Sequence, residues 1–169
     1  MTRRTATTWR VSVVSLALIV VLALLGACGR DSTVRANRVT SSGEGHQATV
    51  LVDQRTLSAV SATFPPYLSR LPGVVTAGAG SAADIATTVK HGQRMDAVVL
   101  PAGPALDRVR GELFLPPSPI GRLGGTEYWA GAVTAGGLPF VTFLTAGRGA
   151  TVLQAHGFTK PPVPSPMLH

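Results

Sequence analysis

Side chains capable of covalent chemistry are scarce in this 169-residue sequence, and Cys28 is the clearest candidate. It is the only cysteine, so its thiol can form no disulfide within the chain and no cysteine-based metal site. The four histidines lie far apart, without the spacing of zinc ligands. No serine has a nucleophile-elbow sequence, and no pair of carboxylates suggests acid–base catalysis. We therefore expect that the protein is not an enzyme, that it binds no metal and no cofactor, and that Cys28 has a single role.

The role of Cys28 follows from the residues before it. Three arginines, at positions 3, 4 and 10, precede an apolar run from Val11 to Leu25, which is the layout of a secretory signal. Residues 25–28, Leu-Gly-Ala-Cys, resemble the lipobox of bacterial lipoproteins, in which diacylglycerol is attached to the cysteine sulfur and the chain is cleaved before it. The resemblance implies a signal peptide at 1–27 and an anchor at Cys28 on the extracytoplasmic face of the cell membrane. An uncleaved signal anchor is the alternative.

The charge of the chain gives no support to nucleic-acid binding. The whole sequence has a net charge of +7, but the signal takes three arginines with it and leaves 12 basic and eight acidic side chains, a net charge of +4. The remaining basic residues are scattered singly between Arg30 and Lys160. Nucleic-acid interfaces need clustered basic residues with aromatic residues among them. We therefore expect no nucleic-acid partner.

Three segments are predicted after the signal. Residues 28–47 comprise the lipidated cysteine and a polar stretch that cannot bury enough apolar surface to fold. This stretch is predicted to be a flexible tether that reaches roughly 25 Å from the membrane. Residues 48–160 are predicted to form one α/β lobe, and residues 161–169 a polyproline-like tail.

The lobe alternates strand and helix patterns. Apolar runs at 48–52, 73–77, 96–100 and 128–134 predict strands, and helices are predicted at about 57–71, with a break at Pro65-Pro66, and at 82–91, 138–145 and 149–156. Gly78–Ser81 is predicted to be a tight turn, and residues 111–126 a loop rich in proline and glycine. Alternating strands and helices with short connections predict a parallel sheet between two layers of helices.

Three stretches of the lobe resemble the periplasmic molybdate-binding proteins, the solute-binding components of ABC importers with the type II solute-binding fold. The residues that carry the resemblance are Thr49-Val50-Leu51-Val52 with Thr56-Leu57, Gly78-Ala79-Gly80-Ser81 with Asp96-Ala97-Val98, and Phe140-Val141 and Phe143-Leu144 with Gly157-Phe158. In the first stretch, Asp53-Gln54-Arg55 replaces the small residues of the family. The resemblance implies a lipid-anchored component that delivers molybdate or a similar oxyanion to an ABC permease.

The same resemblance implies a binding site. The family holds a tetrahedral oxyanion with neutral donors at helix starts, where backbone amides and the helix dipole favour negative charge. Thr56 and Ser81 match the hydroxyl donors of the family's first lobe, and Tyr128 matches its tyrosine. Thr56 and Ser81 follow neighbouring strands, at the carboxyl edge where open α/β sheets bind ligands. The alternative is that Thr56 and Ser81 serve only as helix caps.

Most of the family's second lobe has no counterpart here. The family inserts that lobe between the third strand and the tyrosine, whereas this chain has only residues 101–127 there. The missing donors would contribute roughly 3 to 9 kcal/mol, and a micromolar complex has only about 8 kcal/mol in total. Two functions therefore stay open: an importer component, or a one-lobed relative that acts as an envelope interaction lipoprotein without solute capture.

Overall fold

The structure is a computed structural model that describes residues 37–40 and 45–160. The proposed signal at 1–27, Cys28 and the tail at 161–169 lie outside the described residues, so what the sequence predicts for them stays a prediction. Within the described ranges, no helix has the length and apolar character needed to cross a bilayer.

In the described residues, a six-stranded mixed sheet forms the centre of the fold. Its spatial order is β1-β3-β2-β4-β6-β5, where the strands are β1 (Asn37–Thr40), β2 (His46–Asp53), β3 (Gly73–Gly80), β4 (Ala97–Pro101), β5 (Ser118–Leu123) and β6 (Thr126–Ala132). β2 pairs in parallel with β3 and β4, whereas β1, β5 and β6 pair antiparallel to their neighbours. The α/β class is confirmed, and the prediction of a wholly parallel sheet is wrong.

Helices cover both faces of the sheet. They are α1 (Leu57–Ser61), α2 (Phe64–Leu68), α3 (Ala82–Lys90), α4 (Pro104–Val109), α5 (Leu138–Thr145) and α6 (Gly147–Ala155), with 3₁₀ turns at Arg110–Glu112 and Ala135–Gly137. Successive strand residues point to opposite faces. Val99 packs with α1, α2, α5 and α6 on one face, and its neighbours Val98 and Leu100 pack with α3 and α4 on the other. Burial on both faces explains why the central strands are continuous apolar runs.

The two prolines divide the helical segment after β2, as the sequence predicts. α1 ends at Ser61 and α2 begins at Phe64, so Pro65 lies in the first turn of α2. Backbone N–H groups in the first turn make no hydrogen bond within the helix, so a proline there costs none. Phe64 and Tyr67 of α2 meet the Phe140 ring edge-on, with ring centroids 5.8 and 5.3 Å apart. These aromatic contacts join α2 to α5.

A hairpin occupies much of the segment predicted to be a loop at residues 111–126. β5 pairs with β6 through the turn Gly124-Gly125, and both glycines have positive φ, 57° and 82°, as a type I′ turn requires. Pro119 is tolerated because β5 is an edge strand with a register shift beside this proline. The loop prediction is therefore wrong over Ser118–Leu123.

The sheet also begins earlier in the chain than predicted. Asn37–Thr40 pairs with β3, and β2 starts at His46 instead of residue 48. The tether prediction for 28–47 is wrong for these residues, because strand pairing uses backbone groups and does not need an apolar sequence. The predicted tight turn at Gly78–Ser81 is likewise too long, since β3 continues to Gly80.

Candidate functional site

The carboxyl ends of β2, β3 and β4 share one edge of the sheet, which we call the carboxyl edge. β2 ends at Asp53, beside the end of β3, and Tyr128 pairs with Pro101 at the end of β4. Thr56 follows β2 and Ser81 follows β3. The helix after β2 lies on one face and the helix after β4 on the other, the arrangement in which open α/β sheets form a ligand crevice. The structure thus places all three predicted site residues at this edge.

Thr56 offers no free hydroxyl to a ligand. Its side chain is 0% exposed, and its Oγ1 donates a 2.8 Å hydrogen bond to the carbonyl oxygen of Asp53. Its backbone N–H donates to the same oxygen at 2.8 Å. A hydroxyl has one proton to donate, and here the turn between β2 and α1 uses it. Thr56 therefore stabilises this turn, although its side chain does not cap α1.

Ser81 is the N-cap of α3, as the alternative interpretation holds. Its Oγ accepts a 3.2 Å hydrogen bond from the backbone N–H of Asp84 and donates a 2.7 Å hydrogen bond to Oδ2 of the same residue. Asp84 lies in the first turn of α3, where its carboxylate already complements the positive end of the helix dipole. A second anion at this helix start would meet a carboxylate and no free hydroxyl proton.

Tyr128 is buried at the carboxyl edge and its hydroxyl faces a carboxylate. The residue is 1% exposed, its hydroxyl lies 3.5 Å from Oδ1 of Asp53, and its ring lies against Phe158. Burial raises the pKa of Tyr128 above its usual 10.0, and the charge of Asp53 raises it further, while Arg55 opposes the change. The phenol is therefore neutral at neutral pH and directed toward Asp53.

Asp53 is the residue that sequence reasoning did not assign to this edge. It is 8% exposed, and its Oδ1 accepts a 3.0 Å hydrogen bond from the backbone N–H of Arg55. A nearly buried carboxylate puts negative charge where the family resemblance expects an oxyanion, and like charges at short range repel. The signal was present in the sequence, because Asp53 directly follows a buried strand and replaces a small residue of the family.

A separate cavity lies among α2, α5 and the start of α6, and we call it the α2–α5 cleft. Its volume is about 240 Å³, and its walls include Tyr67, Arg70, Leu71, Pro139, Phe143 and Gly147. None of Thr56, Ser81 and Tyr128 lines it. The three predicted site residues and this cavity are therefore two different regions of the lobe.

Positive charge at the α2–α5 cleft is not neutralised within the described residues. The guanidinium of Arg70 lies 5.8 Å from the centre of the Phe143 ring, within cation–π range. In the described part of the chain, ion pairs join Arg110 to Asp107 and Arg122 to Glu127, and Arg70 has none. The start of α6 has no side-chain cap and no acidic residue in its first turn. The cleft thus combines apolar walls with a free cation.

Tyr67 forms part of the inner wall of the cleft. It is 1% exposed, its ring packs edge-on against Phe143 at a centroid distance of 5.4 Å, and its hydroxyl has no hydrogen-bond partner among residues 37–40 and 45–160. Burial raises the pKa of Tyr67 above its usual 10.0, and the charge of Asp96 raises it further. Tyr67 is therefore a neutral phenol that has not satisfied its hydrogen-bonding capacity.

Neither metal ligands nor similarity to known proteins indicates a function for the described residues. Over 37–40 and 45–160, no group of three or more His, Cys, Asp or Glu is placed to hold a metal ion. No protein-family model matches the chain, and it has no match among curated proteins or solved structures. The carboxyl edge and the α2–α5 cleft are therefore the two regions of the described lobe that bear on function.

Proposed function

We propose that this chain is a lipid-anchored envelope lipoprotein whose folded lobe is an interaction domain and does not capture a solute. The observation that carries this proposal is the state of the carboxyl edge. The hydroxyl protons of Thr56 and Ser81 are used within the chain, and Asp53 places a carboxylate at the same edge. An oxyanion would meet the charge of Asp53 there and no free hydroxyl donor, and the neighbouring Arg55 would offset only part of that repulsion.

Energetics favour the same conclusion. To bind an anion, Thr56 and Ser81 would first have to break their internal hydrogen bonds, each of which contributes about 0.5 to 1.5 kcal/mol to stability. An anion about 4 Å from Asp53 would also meet Coulomb repulsion of about 4 kcal/mol at an effective dielectric constant of about 20. The charge of the neighbouring Arg55 would offset part of that repulsion. A single lobe with no second set of donors has little binding energy to offset these costs.

The importer function is the competing proposal. Its support is the strand order β3-β2-β4 with helices on both faces, which is compatible with one lobe of the type II solute-binding fold. Strand order and helix placement concern the fold and not the binding activity. A relative of that fold can keep its sheet while losing its binding site, since fold and function are separable.

Thermal-shift titration of the full chain with molybdate and tungstate separates the two proposals, with sulfate and phosphate as controls. The interaction-domain proposal expects no saturable change in Tm with any of the four anions. A ligand that binds the folded state contributes about 2.7 kcal/mol at 100 times its Kd. A saturable rise in Tm with one anion alone would overturn the proposal in favour of an importer component.

Lipid attachment is tested by mass spectrometry of the full chain expressed in a bacterium. We expect the N-terminal peptide of the purified protein to begin at Cys28 and to carry the added mass of its acyl groups. The Cys28→Ala variant should keep residues 1–27, because the modified sulfur is required before cleavage. A wild-type protein that also keeps residues 1–27 would identify an uncleaved signal anchor instead.

A further inference from the structure

We infer that the α2–α5 cleft is the docking site for a peptide segment of a partner protein, in which an aromatic side chain is flanked by carboxylates. The inference rests on the proposed function, because it specifies the surface and the partner chemistry of the interaction domain. Three properties of the cleft carry it: its size, the character of its walls and its charge.

The size of the cleft favours one inserted side chain over a whole small molecule. Its volume of about 240 Å³ is below the roughly 300 to 1,000 Å³ of pockets that bury a drug-sized ligand. Protein interfaces depend instead on a few pockets that each receive a large anchoring side chain, most often an aromatic one. The cleft has the dimensions of such an anchor pocket.

The walls of the cleft fit an aromatic side chain. Phe143 and Tyr67 supply ring surfaces, Pro139 supplies a rigid apolar wall, and Leu71 is 37% exposed although it is a large apolar residue. Covering apolar surface of this kind with a partner's apolar side chain favours binding.

Charge decides what must flank the aromatic side chain. Arg70 is exposed, has no carboxylate partner among the described residues and is held over the Phe143 ring. The uncapped start of α6 adds the positive end of a helix dipole, and Arg148 lies in that first turn. None of the described residues that line the cleft is acidic. A partner segment with carboxylates beside its aromatic residue complements this surface.

The test uses the full chain in mild detergent and fluorescein-labelled peptides, with binding measured by fluorescence anisotropy. The probe carries Glu-Phe-Glu in the middle of a Gly-Ser peptide, and two control peptides carry Gln-Phe-Gln and Glu-Gly-Glu. We expect saturable binding of the Glu-Phe-Glu probe and at least about tenfold weaker binding of each control, since charge-assisted hydrogen bonds and ring burial each contribute that much. Equal binding of all three peptides would overturn the inference.

Substitutions place the binding at the cleft. Arg70→Gln should weaken probe binding about tenfold, whereas Arg108→Gln, which removes the same charge from α4 on the opposite face, should leave it unchanged. Thr142→Trp should fill the cleft and abolish binding, whereas Thr87→Trp on α3 should not. All four positions are exposed, so the variants should fold and lower the Tm by no more than a few degrees. Binding that Arg70→Gln and Thr142→Trp leave intact would overturn the inference.

The anion titration and the peptide titration fail independently. If an oxyanion stabilises the chain, the proposed function fails, whatever the peptides do. If no anion binds and the Glu-Phe-Glu probe also does not bind, the interaction-domain proposal stands and the assignment of its surface to the α2–α5 cleft is wrong.

Discussion

The carboxyl edge and the α2–α5 cleft differ in how completely the chain satisfies their polar groups. At the carboxyl edge, the hydroxyls of Thr56 and Ser81 both donate to acceptors within three residues, and Tyr128 faces Asp53. At the cleft, Arg70 lies over an aromatic ring but has no carboxylate partner in the described part of the chain, and α6 begins without a side-chain cap. The first region has used its hydrogen-bonding capacity for folding, and the second has kept part of it.

This difference bears on how candidate sites are chosen. Hydroxyl residues at strand ends and helix starts are common in ligand sites and equally common as turn and cap residues, so their type and position do not separate the two roles. What separates them is whether each donor is already committed. Substitutions at the carboxyl edge should therefore change stability, and substitutions at the mouth of the cleft should change binding with little effect on stability.

The largest effect is expected for Tyr128→Ala. Removing a buried ring that packs against Phe158 should lower the free energy of unfolding by about 3 to 5 kcal/mol. Tyr128→Phe keeps the ring and removes the hydroxyl, whose contact with Asp53 is a long 3.5 Å, so it should cost about 1 kcal/mol or less. Urea denaturation measures both values. A Phe variant as unstable as the Ala variant would show that the hydroxyl, and not the ring, is the main contribution at this edge.

An intermediate effect is expected for Gly149→Ala, beneath the cleft. A methyl group at this position would overlap the carbonyl oxygen of Phe143, so α5 and α6 would have to separate. We expect a loss of about 1 to 3 kcal/mol, the usual cost of overpacking, together with weaker binding of the Glu-Phe-Glu probe. Gly111→Ala is the control, because nothing lies within 4 Å of the added methyl. A neutral Gly149→Ala variant would contradict the close approach of the two helices.

The central part of the fold could be predicted from sequence because each element there has a strong local pattern. Three apolar runs became β2, β3 and β4, and the break at Pro65 follows from the missing N–H of proline. β1 could not be predicted, because it pairs with β3 through backbone groups that are distant in sequence, and this pairing requires no apolar pattern in the short segment itself. β5 was missed because Pro119 and the neighbouring glycines disfavour a strand in general, but not at an edge.

The location of the candidate site could be predicted from the sequence, but the hydrogen bonds of its hydroxyl groups could not. Parallel strands with helices between them put Thr56 and Ser81 at one edge, which the sequence anticipated. Whether their protons were free depended on acceptors three residues away, the backbone carbonyl oxygen of Asp53 and the carboxylate of Asp84, whose positions a sequence does not give. The α2–α5 cleft had no signal at all, because Arg70 and Phe143 are far apart in sequence and meet only in the folded lobe.

A smaller effect, shared by both regions, is expected at high pH. Tyr67 and Tyr128 each have a pKa raised above 10.0, mainly by burial, so the folded state holds these protons more tightly than the unfolded state. Their contribution to stability should be complete below pH 10.0 and should be lost as the pH rises through the folded pKa values. Urea denaturation between about pH 9 and about pH 11 measures this loss. The double variant Tyr67→Phe and Tyr128→Phe should lose less stability over that range, and an unchanged slope would contradict the prediction.

The smallest effect on stability is expected for Arg70→Gln. The exposed cation–π contact with Phe143 contributes about 0.5 to 1 kcal/mol, and glutamine keeps part of the side chain that covers the ring. Urea denaturation should therefore detect a loss below about 1 kcal/mol, even though the same variant should bind the Glu-Phe-Glu probe about tenfold more weakly. A loss above about 2 kcal/mol would mean that Arg70 is committed to the fold as fully as Thr56. The contrast between a committed carboxyl edge and an available cleft would then disappear.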